Sequence, residues 1–291
     1  MLSWLLRQFA RLPLPVVHAL GIVAGWMLFF CSRKYANRLQ QNLQASGLCE
    51  GNIRCRRLLR LAVAEAGKGT LETLAIWFSP MVRVLNWVQA CHGWEHVDAA
   101  LAAGRGIVFL TPHLGCFEIT SLYYATRHPI QVLYRPPRQP WLEPLIYAGR
   151  ERGQVNLAPT NLRGVRSLLR ALKRGEAVGI LPDQVPSAGE GEWADFFGRP
   201  AYTMTLVSRL VEATGATVLL AFGERLPRGN GYIIHFRPLA GNGVATPATL
   251  NHEIEKLVRE CPQQYLWSYA RYKTPRGVKR RTSGHQEPNS G

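Results

Sequence analysis

Gly106-Ile107-Val108-Phe109-Leu110-Thr111-Pro112-His113-Leu114-Gly115-Cys116-Phe117-Glu118 is the stretch whose reading decides the fold. Ile107 to Leu110 run apolar without interruption, the pattern of a short strand covered on both faces. The run breaks at Thr111-Pro112, a histidine follows, and an acid stands five residues beyond it. In open α/β sheets reactive groups gather past the carboxyl ends of strands, which is where His113 falls. Pro112 restricts the backbone, and a helix is expected to begin near Leu114 or Gly115. On one straight helix the two side chains would diverge by about 140°. They can meet only if His113 precedes the helix and Glu118 lies in its first turns. Glu118 would then accept the proton of one ring nitrogen and leave the other as a general base. With 8 His and 19 acids in the chain, composition alone yields about 0.5 such pairs by chance, so placement carries more than spacing.

Outward from this strand, helix and strand patterns alternate. Glu95–Ala103 reads as a helix stopped by Gly104, Ile119–Thr126 as a helix, Ile130–Arg135 as extended chain and Pro140–Arg152 as helical. Val155–Leu157 is a short strand, Leu162–Arg174 a helix stopped by Gly175, and Ala177–Leu181 a further strand. Ala201–Thr214 reads as helical, Val218–Phe222 and Tyr232–Arg237 as strands, and Ala248–Glu260 as the last helix. Short apolar strands alternating with helices imply an α/β protein, a mixed sheet flanked by helices on both faces. The tail after Lys273 is polar, lacks apolar periodicity and is expected to be disordered.

The N-terminus has a different character. MLSWLLRQFAR sets Leu2, Leu5, Leu6 and Phe9 on one helical face, as an interfacial helix would. Leu12 to Ser32 carry no formal charge, and as a helix they would extend roughly 30 Å, about the hydrocarbon thickness of a bilayer. Phe29-Phe30-Cys31-Ser32 makes a poor signal-cleavage site, so an uncleaved membrane anchor, spanning or lying in the membrane, is expected. From Ser32 to about Asn86 the chain reads helical, and Arg33, Lys34, Arg38, Arg54, Arg56, Arg57 and Arg60 suit an anionic membrane surface. The organisation expected is an anchor over 1–32, a basic helical segment over 33–92, a catalytic α/β domain over 93–273 and a tail over 274–291.

The 35 Lys+Arg against 19 Asp+Glu give a formal charge of +16, which attracts nucleic acid, anionic headgroups or an acidic carrier protein. The basic residues cluster beside the anchor and at the tail and do not interleave with aromatics on a strand face, which argues against nucleic acid. The six cysteines form no CxxC pair. They read as isolated small hydrophobes in a reducing compartment, without excluding a disulfide, and no metal site is expected.

HLGCFE after a buried strand resembles the H-x4-D/E signature of the glycerolipid and lipid A acyltransferases. Val132-Leu133-Tyr134-Arg135-Pro136, Leu181-Pro182-Asp183-Gln184, Phe196-Phe197-Gly198-Arg199-Pro200-Ala201 and Pro262-Gln263-Gln264-Tyr265-Leu266-Trp267, leading to Arg271-Tyr272-Lys273, narrow the resemblance. By their order and spacing the chain is similar, from the anchor to about Lys273, to the late (secondary) acyltransferases of lipid A biosynthesis. The resemblance implies a glycerolipid-acyltransferase-like fold at the bacterial inner membrane, with the catalytic domain facing the cytoplasm. It implies transfer of an acyl group from acyl carrier protein to a hydroxyl of a lipid A precursor. His113 would be the base, Glu118 would hold its imidazole, and no cofactor would be needed because the thioester is already activated. A lysophospholipid or another glycolipid is the alternative acceptor. Arg135, held by Pro136-Pro137 at a strand end, suits a phosphate or thioester oxyanion. Asp183, ending another strand on the same edge, either orients polar groups of the site or caps a turn. Arg199, between Gly198 and Pro200, could line the acceptor pocket or serve a structural turn. Trp267, Arg271 and Lys273 form a membrane-facing or packing element, and Cys116 is read as packing.

Overall fold

The computed structural model of the chain describes residues 2–49, 51–137, 139–239 and 246–280. Residues 274–280 form no helix or strand, and the rest of the expected tail lies outside the described residues. Five helices come first: α1 (Leu2–Phe9), α2 (Leu14–Cys31), α3 (Arg33–Ala45), α4 (Asn52–Phe78) and α5 (Met81–Leu85). Then follow β1 (Val88–His92), α6 (Trp94–Ala102), β2 (Ile107–Leu110), α7 (Phe117–Tyr124), β3 (Ile130–Tyr134), α8 (Glu143–Arg150), β4 (Val155–Pro159), α9 (Leu162–Lys173) and β5 (Ala177–Ile180). The chain closes with β6 (Gly191–Phe196), β7 (Arg199–Met204), α10 (Leu206–Thr214), β8 (Thr217–Arg225), β9 (Tyr232–Pro238) and α11 (Pro247–Glu260).

Seven strands make one mixed sheet in the order β1-β9-β8-β2-β5-β3-β4. Among the described residues only β8 and β9 pair antiparallel within it. β2 sits at its centre, buried at all four positions. Its side chains alternate between two cores, as strand geometry requires. Val108 and Leu110 join Leu168 and Leu172 of α9, Leu210 of α10 and Ile254 of α11. Ile107 and Phe109 join Val97 of α6 and Ile119 and Leu122 of α7. The uninterrupted apolar run thus follows from helices covering both faces.

Three strands differ from the sequence expectation. Ala201–Thr214 is not one helix, because β7 continues through Met204 and α10 begins at Leu206. β6 and β7 form a separate antiparallel hairpin closed by Phe197-Gly198, both at positive φ, with Phe196 paired to Arg199. The pairing between strands outweighs local helix propensity here. β1, with the polar residues Gln89 and His92, gave no strand signal and forms by pairing with the edge of β9.

The apolar N-terminal helix does not stand apart. Leu14, Val17, His18, Gly21 and Gly25 of α2 are buried, and the backbone closes on α4. A Cβ on Gly67 would lie 2.0 Å from the Gly21 carbonyl oxygen, and one on Gly25 would lie 2.4 Å from that of Val63. His18 Nε2 meets Glu72 Oε2 at 3.1 Å, and the same carboxylate takes Nε of Arg225 at 2.7 Å and the Tyr232 hydroxyl at 2.9 Å. Arg83 closes the α1–α2 turn by donating to the carbonyls of Ala10, Arg11 and Leu12. The opposite face of α2 leaves Val16, Leu20, Val23, Met27 and Phe30 exposed, Phe30 by 74%. By length and composition α2 could cross a membrane. The cysteine reading changes at two positions, since Cys49 and Cys55 are not isolated but form a disulfide across the α3–α4 turn.

Candidate active site

The central register builds the site. β2 and β5 are parallel neighbours with Leu110 opposite Ile180, and Thr111 N–H donates to the Ile180 carbonyl at 2.9 Å. Three residues beyond each partner stand His113 and Asp183, so register alone brings them side by side. Asp183 Oδ2 accepts the His113 backbone N–H at 2.9 Å, and Oδ1 lies 2.7 Å from Nδ1 of the ring. A buried carboxylate can only accept, so Nδ1 carries the proton and Nε2 holds the lone pair. The Gln184 side-chain nitrogen donates to that lone pair at 3.1 Å. Phe117 packs against the ring at 4.9 Å between centroids. Burial pushes the Asp183 carboxyl up, but the charge of His113 in its imidazolium form, the two His113 donors and the Arg271 charge hold it below the ordinary carboxylate value.

The loop between β2 and α7 is held from both sides. Gly115 donates to the Gln264 carbonyl at 3.1 Å, Cys116 N–H donates to Gly223 at 2.7 Å, and Leu266 N–H donates to the His113 carbonyl at 3.0 Å. Gly115 has φ +59°, and a Cβ there would lie 2.1 Å from the Gly223 carbonyl oxygen. Only glycine fits that approach. Cys116 is buried, and burial raises its thiol well above the usual value, consistent with a packing residue.

Glu118 does lie in the first turn of α7, but it does not hold the imidazole. Its carboxylate accepts Nε of Arg150 at 3.1 and 3.0 Å, a further short bond from Arg150 Nη2, and the indole N–H of Trp77 at 3.2 Å. It ties α7 to α8 and α4. The helix direction carries its side chain away from the strand end, and the imidazole partner is Asp183. Arg150 drew no notice in the sequence because nothing in its own segment marks it.

Arg199 opens β7, and its guanidinium stacks over Tyr272 at 3.9 Å. It does not line the cavity described next, because the hairpin turns it toward the C-terminal segment. Trp267 and Arg271 are buried. Arg271 donates to Tyr202 O at 2.8 Å, to Thr203 Oγ1 at 2.6 Å and to Asn251 Oδ1 at 2.9 Å. That element packs the fold. Arg135 is exposed at the end of β3 and lines a cavity of about 580 Å³, a volume within the ~300–1,000 Å³ typical of ligand sites. Leu133, Leu162, Val165, Leu169, Leu206 and Leu210 give it an apolar wall between α9 and α10. Gln184 lines it too, so the cavity reaches the residue bonded to His113.

The family model for bacterial lipid A biosynthesis acyltransferase matches residues 2–274. The lipid A biosynthesis lauroyltransferase of Escherichia coli (strain K12) is 28% identical over 288 residues, 95% of this chain and 93% of that protein. The palmitoleoyltransferase of the same strain is also 28% identical, over 94% of this chain and 91% of its own length. The myristoyltransferase is 23% identical over 62% of this chain and 58% of its own. A seven-stranded α/β frame, a histidine and an aspartate at its strand ends, and a match along nearly the whole length converge on one conclusion: this chain belongs to the bacterial lipid A biosynthesis acyltransferase family.

Proposed function

We propose that the chain transfers a fatty acyl group from acyl carrier protein to a hydroxyl of a lipid A precursor, with His113 as general base and Asp183 as the residue that positions it. The observation that carries this reading is the 2.7 Å contact from Asp183 to His113 Nδ1, beside an apolar cavity that reaches Gln184. The acceptor hydroxyl replaces Gln184 at Nε2 and gives up its proton as its oxygen attacks the thioester carbonyl carbon. The tetrahedral oxyanion collapses, the carbon–sulfur bond breaks, and the imidazolium returns the proton to the departing thiolate. Asp183 stabilises the imidazolium formed on the way. Arg135, at the cavity, contacts an anionic group of the substrate. Glu118 supports the site indirectly by fixing α7 against Arg150 and Trp77.

The reading places the enzyme at the bacterial inner membrane. The exposed apolar face of α2 enters the lipid, the basic residues of α3 and α4 meet anionic headgroups, and the catalytic domain faces the cytoplasm. On that side glutathione would hold Cys49 and Cys55 as thiols, so their alkylation in intact cells tests the placement. Function is tested by mass spectrometry of lipid A from cells lacking the protein and complemented with wild type or His113→Ala. One acyl chain should be missing in the deletion and in the variant and restored by wild type. An unchanged acyl pattern in all strains overturns the proposal.

A further inference from the structure

The helix that walls the cavity has three distinct faces. At about 100° per residue, Gly164, Leu168, Ala171 and Leu172 of α9 point to the sheet and are buried. Leu162, Val165 and Leu169 lie next around the wheel and line the cavity. Arg163, Arg166, Arg170 and Lys173 occupy the remaining arc of about 100° and are all exposed. Among the described residues none of these four is in an ion pair, whereas the next cation, Arg174, is paired with Glu176. Arg166 also borders the cavity. One rigid helix therefore presents a line of free cations about 15 Å long directly beside an apolar cavity that leads to the catalytic histidine.

We infer that the basic face of α9 docks the acidic protein that carries the acyl thioester, and that the adjoining cavity between α9 and α10 receives its acyl chain. The inference rests on the function proposed above and adds the docking face and the chain site. Two features favour a protein over a lipid surface. A single phosphate would be ringed by converging cations, while these four stand in a row, as a helix-to-helix contact requires. A face seated on lipid carries exposed apolar side chains, as α2 does with Val23, Met27 and Phe30. The arc of α9 that presents Arg163, Arg166, Arg170 and Lys173 is formed by these cations alone, and the exposed Leu162 beside it stands at the helix start among the residues that line the cavity. Unpaired exposed cations in this arrangement steer an acidic partner and set its orientation, and they do so less in high salt.

The test uses the full-length enzyme in detergent micelles with acyl-acyl carrier protein as donor. It compares wild type with the double variant Arg163→Glu/Arg170→Glu, neither of which lines the cavity. KM for the carrier-protein thioester should rise by about tenfold or more. KM for the lipid acceptor and the melting temperature should hold, and the fall of kcat/KM with added salt should flatten. An unchanged donor KM overturns the docking face, and a raised acceptor KM instead assigns the cations to the lipid or its phosphates and overturns it equally. The cavity is tested separately by Leu169→Trp, which should shift preference toward shorter acyl chains. An equal loss across all chain lengths contradicts the chain site. If wild type transfers nothing from the carrier protein, the underlying function has failed and not the docking face alone.

Discussion

Two carboxylates attach to the two ends of one short segment and do different work. Asp183 meets His113 through a backbone N–H and a ring nitrogen, at the place where two parallel strands end in register. Glu118, five residues along, turns away and is consumed by Arg150 and Trp77. The first pair leaves one ring nitrogen reachable beside a cavity. The second leaves no lone pair aimed at the histidine. The comparison shows that register across a sheet can decide a catalytic partner where proximity in the chain suggests another.

The largest effect expected from this difference is on turnover. His113→Ala should lower kcat by about 10²–10⁴-fold, with some loss of melting temperature because the buried Asp183 carboxylate loses its ring donor. Asp183→Asn should follow it, because an amide in place of the carboxylate favours the wrong tautomer. A Glu118→Ala or Arg150→Ala variant should instead lose stability, by about 3 kcal/mol, the lower end for breaking a buried pair. Arg150 keeps 24% of its side chain exposed, which softens the loss. Urea unfolding measures it. The apolar replacement Glu118→Leu with Arg150→Met should recover much of that stability and, if Glu118 is structural, activity with it. Recovered folding without activity would give Glu118 a chemical role and break the comparison.

A third carboxylate extends it. Burial pushes Glu72 up, but the charge and hydrogen bonds of Arg225, then the bond from His18, bring it down to about 2. A folded value below the unfolded one of about 4.3 contributes stability that is full above about pH 5 and is lost as pH falls toward 2. The share of stability that Glu72 contributes should be flat from neutrality to about 5 and then decline, read as the difference between wild type and Glu72→Gln, and His18→Ala should lower the plateau. The smallest effect belongs to Gln184. Removing its donor in Gln184→Ala should change kcat/KM by less than about tenfold, the scale of one net hydrogen bond.

The sheet and its covering helices were legible because apolar runs and helical periods are local. The edge strand β1 was not, since it exists through a partner distant in sequence, and neither was the hairpin β6–β7, whose arms are held as strands by each other across Phe197-Gly198. His113 was legible by its position after a buried strand. Asp183 was recognised as standing on the same edge, but choosing between an orienting and a capping role needed the pairing of Leu110 with Ile180. The assignment of Glu118 to the imidazole failed because the start of α7 at Phe117 sets its direction, and its real partner Arg150 lies on a helix that carries no motif. The apolar stretch before Ser32 was legible as a helix. That His18 fastens it to Glu72 was not.

The claim that Asp183, not Glu118, sets the state of His113 is tested most directly by ¹⁵N NMR of the ring nitrogens, with His113→Ala assigning the signal. Near neutral pH the wild-type ring should carry its proton on Nδ1. Asp183→Asn should move it to Nε2, and Glu118→Gln should leave it in place. A proton on Nε2 in the wild type, or a shift caused by Glu118→Gln and not by Asp183→Asn, would contradict the account.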